Sequence, residues 1–233
     1  MRRALGTALV VLGLLVLGDV AVTLAWQEPL SAVRAAREQE RLAGELKRLE
    51  QEKPRVAGRR SPGAAGALGA QGARGAGRIE AAAGALARSR HDGQPIAELR
   101  IPRLDLRTVV VRGTAAEDLR EGPGLLDSAP LPGQGGTTAV AGHRTTYGAP
   151  FRRLDALRRG DAMTMRLPYG TFHYAVEGRR IVAPTDLSVV RRVGHDRLVL
   201  SACHPLFSAA RRIVVVARLV RVGQSARALN RRV

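Results

Sequence analysis

The sequence predicts a mainly β fold: a closed or nearly closed barrel of about eight short strands with one or two short helices, filling residues 94–223. Three observations lead there. From Gln94 onward the apolar residues come in short runs broken by Gly, Pro and Asp. Two of those runs, 197–203 and 212–222, are rich in β-branched residues. The preceding 67 residues, 27–93, have the wrong composition for a core, being polar and helical at first and then Gly/Ala/Arg-rich.

Residues 1–26 read as a membrane anchor. Arg2 and Arg3 precede an apolar run from Ala4 to Trp26 that contains one charge, Asp19. About 20 apolar residues suffice to cross a hydrocarbon core of ~30 Å. Asp19 falls toward the outer end near Trp26, a residue suited to the interface. Positive charge ahead of the run places the N-terminus in the cytoplasm and the remainder outside. The alternative is a cleaved signal peptide, for which Thr23-Leu24-Ala25 offers a small-residue cleavage site, but the run exceeds a usual signal core.

Residues 27–53 read as a helical stalk, with Leu42, Leu46 and Leu49 at helical spacing and charges on the other faces. Its expected state is a solvated stalk; a two-stranded coil is the alternative. Residues 54–77 read as a flexible linker, with a loose three-residue Gly repeat lacking the proline of collagen. A short helix over 78–89 leads into the domain. The expected strands are 95–101, 106–112, 137–142, 161–167, 171–177, 179–183, 197–203 and 212–222. Pro168-Tyr169-Gly170 makes a hairpin, Gly178 a turn, and 115–121 and 150–157 are expected to be short helices. About 130 residues suffice for one proper core; residues 224–233 form a tail.

The formal net charge of +18 invites a nucleic-acid reading. Against it, aromatic residues make up only 3% of the chain, too few for base-stacking platforms. Of 38 basic residues only Lys47 and Lys53 are lysines, which marks arginine as the default surface cation of a GC-rich genome. An anionic wall or lipid surface is the better neighbour. The single cysteine, Cys203, excludes an intrachain disulfide and a multi-cysteine zinc site. No dense acidic loop cluster occurs, so no metal and no cofactor is expected.

Three chemically active residues fall at expected strand ends: Cys203 after Leu198-Val199-Leu200-Ser201-Ala202, His143 after the 137–142 strand, and Arg212 at the start of the last strand. A thiol becomes a nucleophile as the thiolate, which nearby cations stabilise, and a guanidinium can also receive a developing oxyanion. On spacing alone the trio is suggestive, and an inert buried cysteine is the competing reading.

The residues around the trio resemble the sortase family, most of all its actinobacterial class E. Ala141-Gly142-His143-Arg144-Thr145-Thr146-Tyr147-Gly148 is similar to the family's histidine motif, Leu200-Ser201-Ala202-Cys203-His204-Pro205 to its cysteine strand, and Arg212-Ile213-Val214-Val215 to the strand opening on its arginine. Ile101-Pro102-Arg103-Leu104 and the LREGPGLL stretch from Leu119 to Leu126 agree as well. The resemblance covers residues 94–223 and implies an eight-stranded sortase-like barrel. It departs from the family at Ala202, where a threonine is usual; that puts rate or specificity in question. Ser201 does not replace the missing hydroxyl, since consecutive strand side chains face opposite ways.

The resemblance implies a cysteine transpeptidase of the peptidase class. Cys203 would attack the Thr–Gly bond of a C-terminal sorting signal of LPxTG or Leu-Ala-x-Thr-Gly type, His143 would exchange protons with the amines, and Arg212 would hold the carbonyl and oxyanion. Tyr147 and Ala202 are the expected substrate contacts. Of the two adjacent arginines the resemblance selects Arg212 over Arg211, and His204 reads as a loop residue. The implied partners are secreted proteins bearing the signal, a peptidoglycan amine and the membrane, with no nucleic acid; the implied location is the cell membrane, single-pass, with the catalytic domain outside. Two other readings stay open. One is another exported cysteine enzyme, although the Ser-His-Gly-Cys stretch usual in L,D-transpeptidases is absent. The other is an inactive, envelope-binding barrel of the same shape.

Overall fold

A computed structural model describes residues 9–16, 18, 29–52 and 68–223. Eight strands close into one barrel: β1 (Pro95–Ile101), β2 (Leu106–Arg112), β3 (Gly124–Leu125), β4 (Thr137–Ala141), β5 (Ala162–Leu167), β6 (Gly170–Val182), β7 (Arg197–His204) and β8 (Arg211–Gly223). Their order around the barrel is β1-β2-β3-β4-β7-β8-β6-β5. Two neighbouring pairs, β2–β3 and β4–β7, are parallel; the β1–β2, β3–β4, β7–β8, β8–β6, β6–β5 and β5–β1 pairs are antiparallel. The barrel interior is filled by alternate residues of each strand, among them Leu99, Ile101, Met163, Met165, Phe172, Leu198, Leu200, Val215 and Ala217. A second, outer apolar cluster of Ala139, Val199, Val214 and Val216 lies on the opposite face of β4, β7 and β8. It is covered by Val189 of the 3₁₀ segment Leu187–Val190.

The sequence predicts eight strands and eight are present, but two assignments differ. The 171–177 and 179–183 runs are one strand, β6. Gly178 does not turn the chain; it sits at a register shift against β8, and the strand continues to Val182. The remaining strand is the two-residue β3. Gly124 is required there because a Cβ would collide with the carbonyl oxygen of Gly113. The expected hairpin at Pro168-Tyr169 is present, with Leu167 paired to Gly170. The 115–121 helix is α3 (Ala116–Glu121), numbered after the two helices below, and 150–157 contains only the 3₁₀ turn Leu154–Ala156.

Upstream, α1 (Pro29–Glu52) and α2 (Leu68–Ser89) precede the barrel. The glycines of 68–77 predict a linker, yet this stretch is helical. Ala83, Ile79, Leu86 and Ala87 of α2 pack against the barrel core, and such tertiary burial outweighs the ~1 kcal/mol cost of each helical Gly. The helix α1 is docked, not solvated. Leu42 and Leu46, 0% and 2% exposed, pack on Val109 and Val111 of β2. The Gln39 amide pairs with β2 as another strand would: Oε1 accepts from Val109 N–H (2.6 Å) and the Thr108 hydroxyl (2.9 Å). Its Nε2 donates to the carbonyls of Val109 (3.3 Å) and Glu121 (2.8 Å). All four hydrogen-bonding positions of that amide are therefore used.

No helix among the described residues is long and apolar enough to cross a membrane. Of the apolar run 4–26, residues 9–16 and 18 are helical and exposed, and the rest lies outside the described residues, as does the tail 224–233.

Because α1 is seated by its leucines, Leu46→Ala is expected to destabilise the folded domain by about 2–5 kcal/mol, the usual cost of truncating a buried leucine. Chemical denaturation of the full chain measures it; an unchanged midpoint would show that α1 contributes nothing to the fold.

Candidate active site

The site follows from strand register. The parallel pairing of β4 with β7 runs from Thr137↔Arg197 to Ala141↔Ser201, and Gly142 N–H donates to the Ser201 carbonyl at 3.0 Å. Two residues beyond Ala141 is His143, where the chain has left β4, and two beyond Ser201 is Cys203, still on β7. On the other side of β7, Cys203 stands directly opposite Arg212 of β8. Side-chain alternation puts Cys203 and Arg212 on one face: Cys203 shares the parity of Val199, and Arg212 that of Val214 and Val216, all members of the outer cluster. The register thus sets Cys203 and Arg212 opposite each other at the barrel rim, with His143 two residues past the end of β4. Arg211 has the opposite parity, pairs with His204 and is exposed.

Cys203 is half-buried and unpaired by disulfide. His143 is also half-buried; its Nδ1 lies 3.3 Å from the Thr146 hydroxyl, and its Nε2 is buried without a hydrogen-bond partner. Burial, and secondarily the charge of Arg120, hold the imidazole below its ordinary pKa, so the neutral form persists into more acidic solution. Tyr147 packs against the histidine, with ring centroids 4.9 Å apart and planes at 45°. The loop that carries Tyr147 takes a left-handed path, with φ of 51° at Tyr147, 72° at Gly148 and 40° at Ala149. Two non-glycine residues in that region represent backbone strain next to the reactive groups. Arg120 of α3 lies 6.0 Å from the Tyr147 ring centroid. Gly142 is needed for a different reason: a Cβ there would come within 2.6 Å of the Phe151 ring. Phe151 closes the loop by donating its N–H to the His143 carbonyl at 3.0 Å.

The Arg212 guanidinium turns back on the β7–β8 loop, Nη1 donating to the carbonyls of Ala209 (2.9 Å) and Arg211 (3.0 Å). Its Nε and Nη2 have no partner among the described residues. Ala202, 3% exposed, faces the barrel core, on the opposite side of β7 from Cys203. Its methyl therefore points into the core, away from the Cys203 side of β7.

A family model described as the sortase domain matches residues 99–220. The chain belongs to the sortase family. It is 34% identical over 115 residues to sortase D of Bacillus subtilis, covering 48% of this chain and 56% of that protein. It is 28% identical over 145 residues to sortase E1 of Streptomyces coelicolor, covering 55% and 41%. The chain thus spans about half the length of the curated relatives it matches. The structure of sortase E from Streptomyces avermitilis superposes with a TM-score of 0.53 at 34% identity, over 57% of this chain and 93% of that one. The chain is a sortase with class E similarity.

Sequence reasoning misses one buried residue at this sortase site. Arg144, 3% exposed, lies behind the histidine and contacts Asp155, His204 and the Cys203 carbonyl. His204, expected in a loop, ends β7 and is Arg144's partner. The signal is present as the arginine after His143, but arginine's abundance on this surface hides it.

Removing Arg120 removes one of the two influences that depress His143, so Arg120→Gln is expected to raise the His143 pKa while leaving the larger burial effect in place. A pH titration of the imidazole by NMR measures this. The basic limb of a step in which protonated His143 donates its proton would move to higher pH with it; an unshifted or lowered pKa would contradict the assignment of Arg120.

Proposed function

We propose that the chain is a sortase-type cysteine transpeptidase that cleaves a C-terminal sorting signal between Thr and Gly and joins the released carbonyl to an amine. The observation that supports this reading is strand register: Cys203 stands opposite Arg212, and the β4–β7 ladder ends two residues short of His143 and Cys203.

In this mechanism the Cys203 thiolate attacks the threonine carbonyl carbon, and the carbonyl oxygen takes up the negative charge. Arg212 stabilises that oxyanion. The Nε and Nη2 donors are unengaged, so the guanidinium need release at most the two loop carbonyls to turn toward it. As the C–N bond breaks, His143 passes a proton to the leaving glycine amine, and the acyl group stays on sulfur as a thioester. An incoming amine then attacks the thioester and gives its proton to His143, and the cysteine leaves as thiolate. The unpartnered Nε2 of His143 is the atom suited to both transfers.

The substrate is a Leu-Ala-x-Thr-Gly or LPxTG-like signal on a secreted protein, and the acceptor a peptidoglycan amine. The rim on which Cys203 and Arg212 stand continues into the covered apolar cluster of Ala139, Val199, Val214 and Val216. Tyr147 lies on the histidine side of the site, and Ala202 contributes backbone alone. An N-terminal membrane anchor, with the barrel outside, fits the apolar run 4–26 and the outward-facing Leu9, Leu12 and Val16.

Incubation of the protein with a Leu-Ala-x-Thr-Gly peptide and an amine, followed by mass spectrometry, tests the reading. Cys203→Ala is expected to abolish the thioester. His143→Ala should lower turnover ~10²–10⁴-fold and Arg212→Ala roughly 10²–10³-fold. Arg212→Lys should recover little, since an ammonium lacks the planar fork. Arg211→Ala should be nearly silent; a damaging Arg211→Ala beside a mild Arg212→Ala would reassign the arginine.

A further inference from the structure

We infer that Arg144 is a positioning residue that sets the distance between His143 and Cys203, an inference that rests on the reading of that pair as catalytic. The need for it arises where the β4–β7 ladder ends. After Gly142 the chain pairs with its own loop: the His143 carbonyl accepts from Phe151 N–H (3.0 Å), and the Thr146 carbonyl from Ala149 N–H (2.8 Å). His143 therefore sits on a loop leaving the sheet, while Cys203 remains on β7.

Arg144 reaches back across that divergence. Its Nη1 lies 2.8 Å from His204 Nδ1 and donates to the Cys203 carbonyl at 3.4 Å. Its Nε donates to the Arg152 carbonyl at 3.3 Å, and its Nη2 is 3.2 Å from Asp155 Oδ1. One planar group thus ties the residue after His143 to the residue after Cys203, and braces both against the 3₁₀ turn Leu154–Ala156. Guanidinium only donates, so at this contact His204 Nδ1 is the acceptor. A lysine cannot reproduce the arrangement, because its single ammonium does not span a carbonyl, an imidazole and a carboxylate in one plane. Burial of a cation is costly unless it is paired and hydrogen-bonded; here two contacts fall on the Cys203 segment and two on the turn at Arg152 and Asp155.

Displacement of a reacting group by ~1 Å can cost ~10²-fold in rate. In the full-length chain, Arg144→Gln is therefore expected to lower kcat for peptide transfer about 10–100-fold with KM within about threefold, and Arg144→Lys should restore only a minor part. Circular dichroism and the rate of Cys203 alkylation by iodoacetamide, which needs no proton from His143, should stay near wild type. A kcat per folded molecule within twofold of wild type, or equal losses in kcat and in folded protein, would overturn the inference. If Arg144→Gln does not fold, His204→Ala, which deletes one partner and leaves the charge paired to Asp155, decides the matter: a fall in kcat of about three- to tenfold is expected, and an unchanged kcat overturns it. His143→Ala, run alongside, separates the two levels. A wild-type chain that transfers no peptide, or a His143→Ala chain as active as wild type, overturns the catalytic reading itself; a crippled His143→Ala beside intact Arg144 variants overturns only the role of Arg144.

Discussion

Parallel pairing of β4 with β7 sets the level of the reactive groups at the barrel rim. The two strands lie far apart in sequence, and the segment between them supplies β5, β6 and the 3₁₀ segment that roofs the outer cluster. A parallel pair always needs such a crossover. Here the crossover completes the barrel, since β6 pairs with β8 and β5 with β1. A slip of one residue in the β4–β7 register would turn every side chain of one strand to the other face. This register, with that of β7 against β8, fixes where Cys203 and Arg212 stand and where the chain leaves the sheet toward His143.

Two buried arginines bracket that ladder. At its start Arg197, 6% exposed, donates from Nε to the Thr137 hydroxyl at 2.9 Å, joining the first residue pair through side chains as well as backbone. Its Nη2 donates to the carbonyls of Val189 (2.9 Å) and Arg191 (2.8 Å), which fastens the roof segment to β7. No carboxylate among the described residues pairs with Arg197; burial pushes its pKa down, and neighbouring Arg180 adds to that. Three carbonyl and hydroxyl oxygens carry the desolvation instead. At the far end Arg144 does the corresponding work with Asp155, His204 and two carbonyls. A ladder clamped at both ends is far less free to slip or fray than backbone pairing alone allows.

Much of this architecture is legible in the sequence. Short apolar runs bounded by turn residues locate seven of the eight strands. The alternation rule also separates the face of Arg212 from that of Arg211. The failures have physical causes. Gly178 reads as a turn by composition, yet a glycine within a long strand serves equally well at a bulge, and only the partner strand β8 decides between them. The two-residue β3 has no period to detect. The leucines of α1 show the buried stripe of the helix, but its partners Val109 and Val111 are known only once β2 exists. Ala202 reads as a substrate contact from its place beside Cys203, whereas the same alternation that separates it from Ser201 turns its methyl into the core. Arg144 and Arg197 are hidden by their own abundance, since in a chain with 38 basic residues nothing local distinguishes an arginine that will be buried. What distinguishes them is a set of free carbonyls at one point in space.

The docked α1 bears on the same geometry from outside the matched region 99–220. Ala35 of α1 lies against the loop that carries Tyr147: a Cβ added to Gly148 would come within 3.2 Å of the Ala35 methyl. Further along the helix, Gln39 holds the Glu121 carbonyl at the end of α3, next to Arg120, and a Cβ at Gly122 would collide with that amide. Arg120 in turn faces the Tyr147 ring that packs on His143. The strained, left-handed run Tyr147-Gly148-Ala149 is thus backed on one side by α1 and on the other by α3. Strain of this kind persists only where surrounding contacts over-determine it, and the strands of the barrel do not reach this far. The backing comes from a helix that the strand pattern alone would assign to a spacer, so the conformation of the histidine loop depends on a part of the chain that contributes no reactive group.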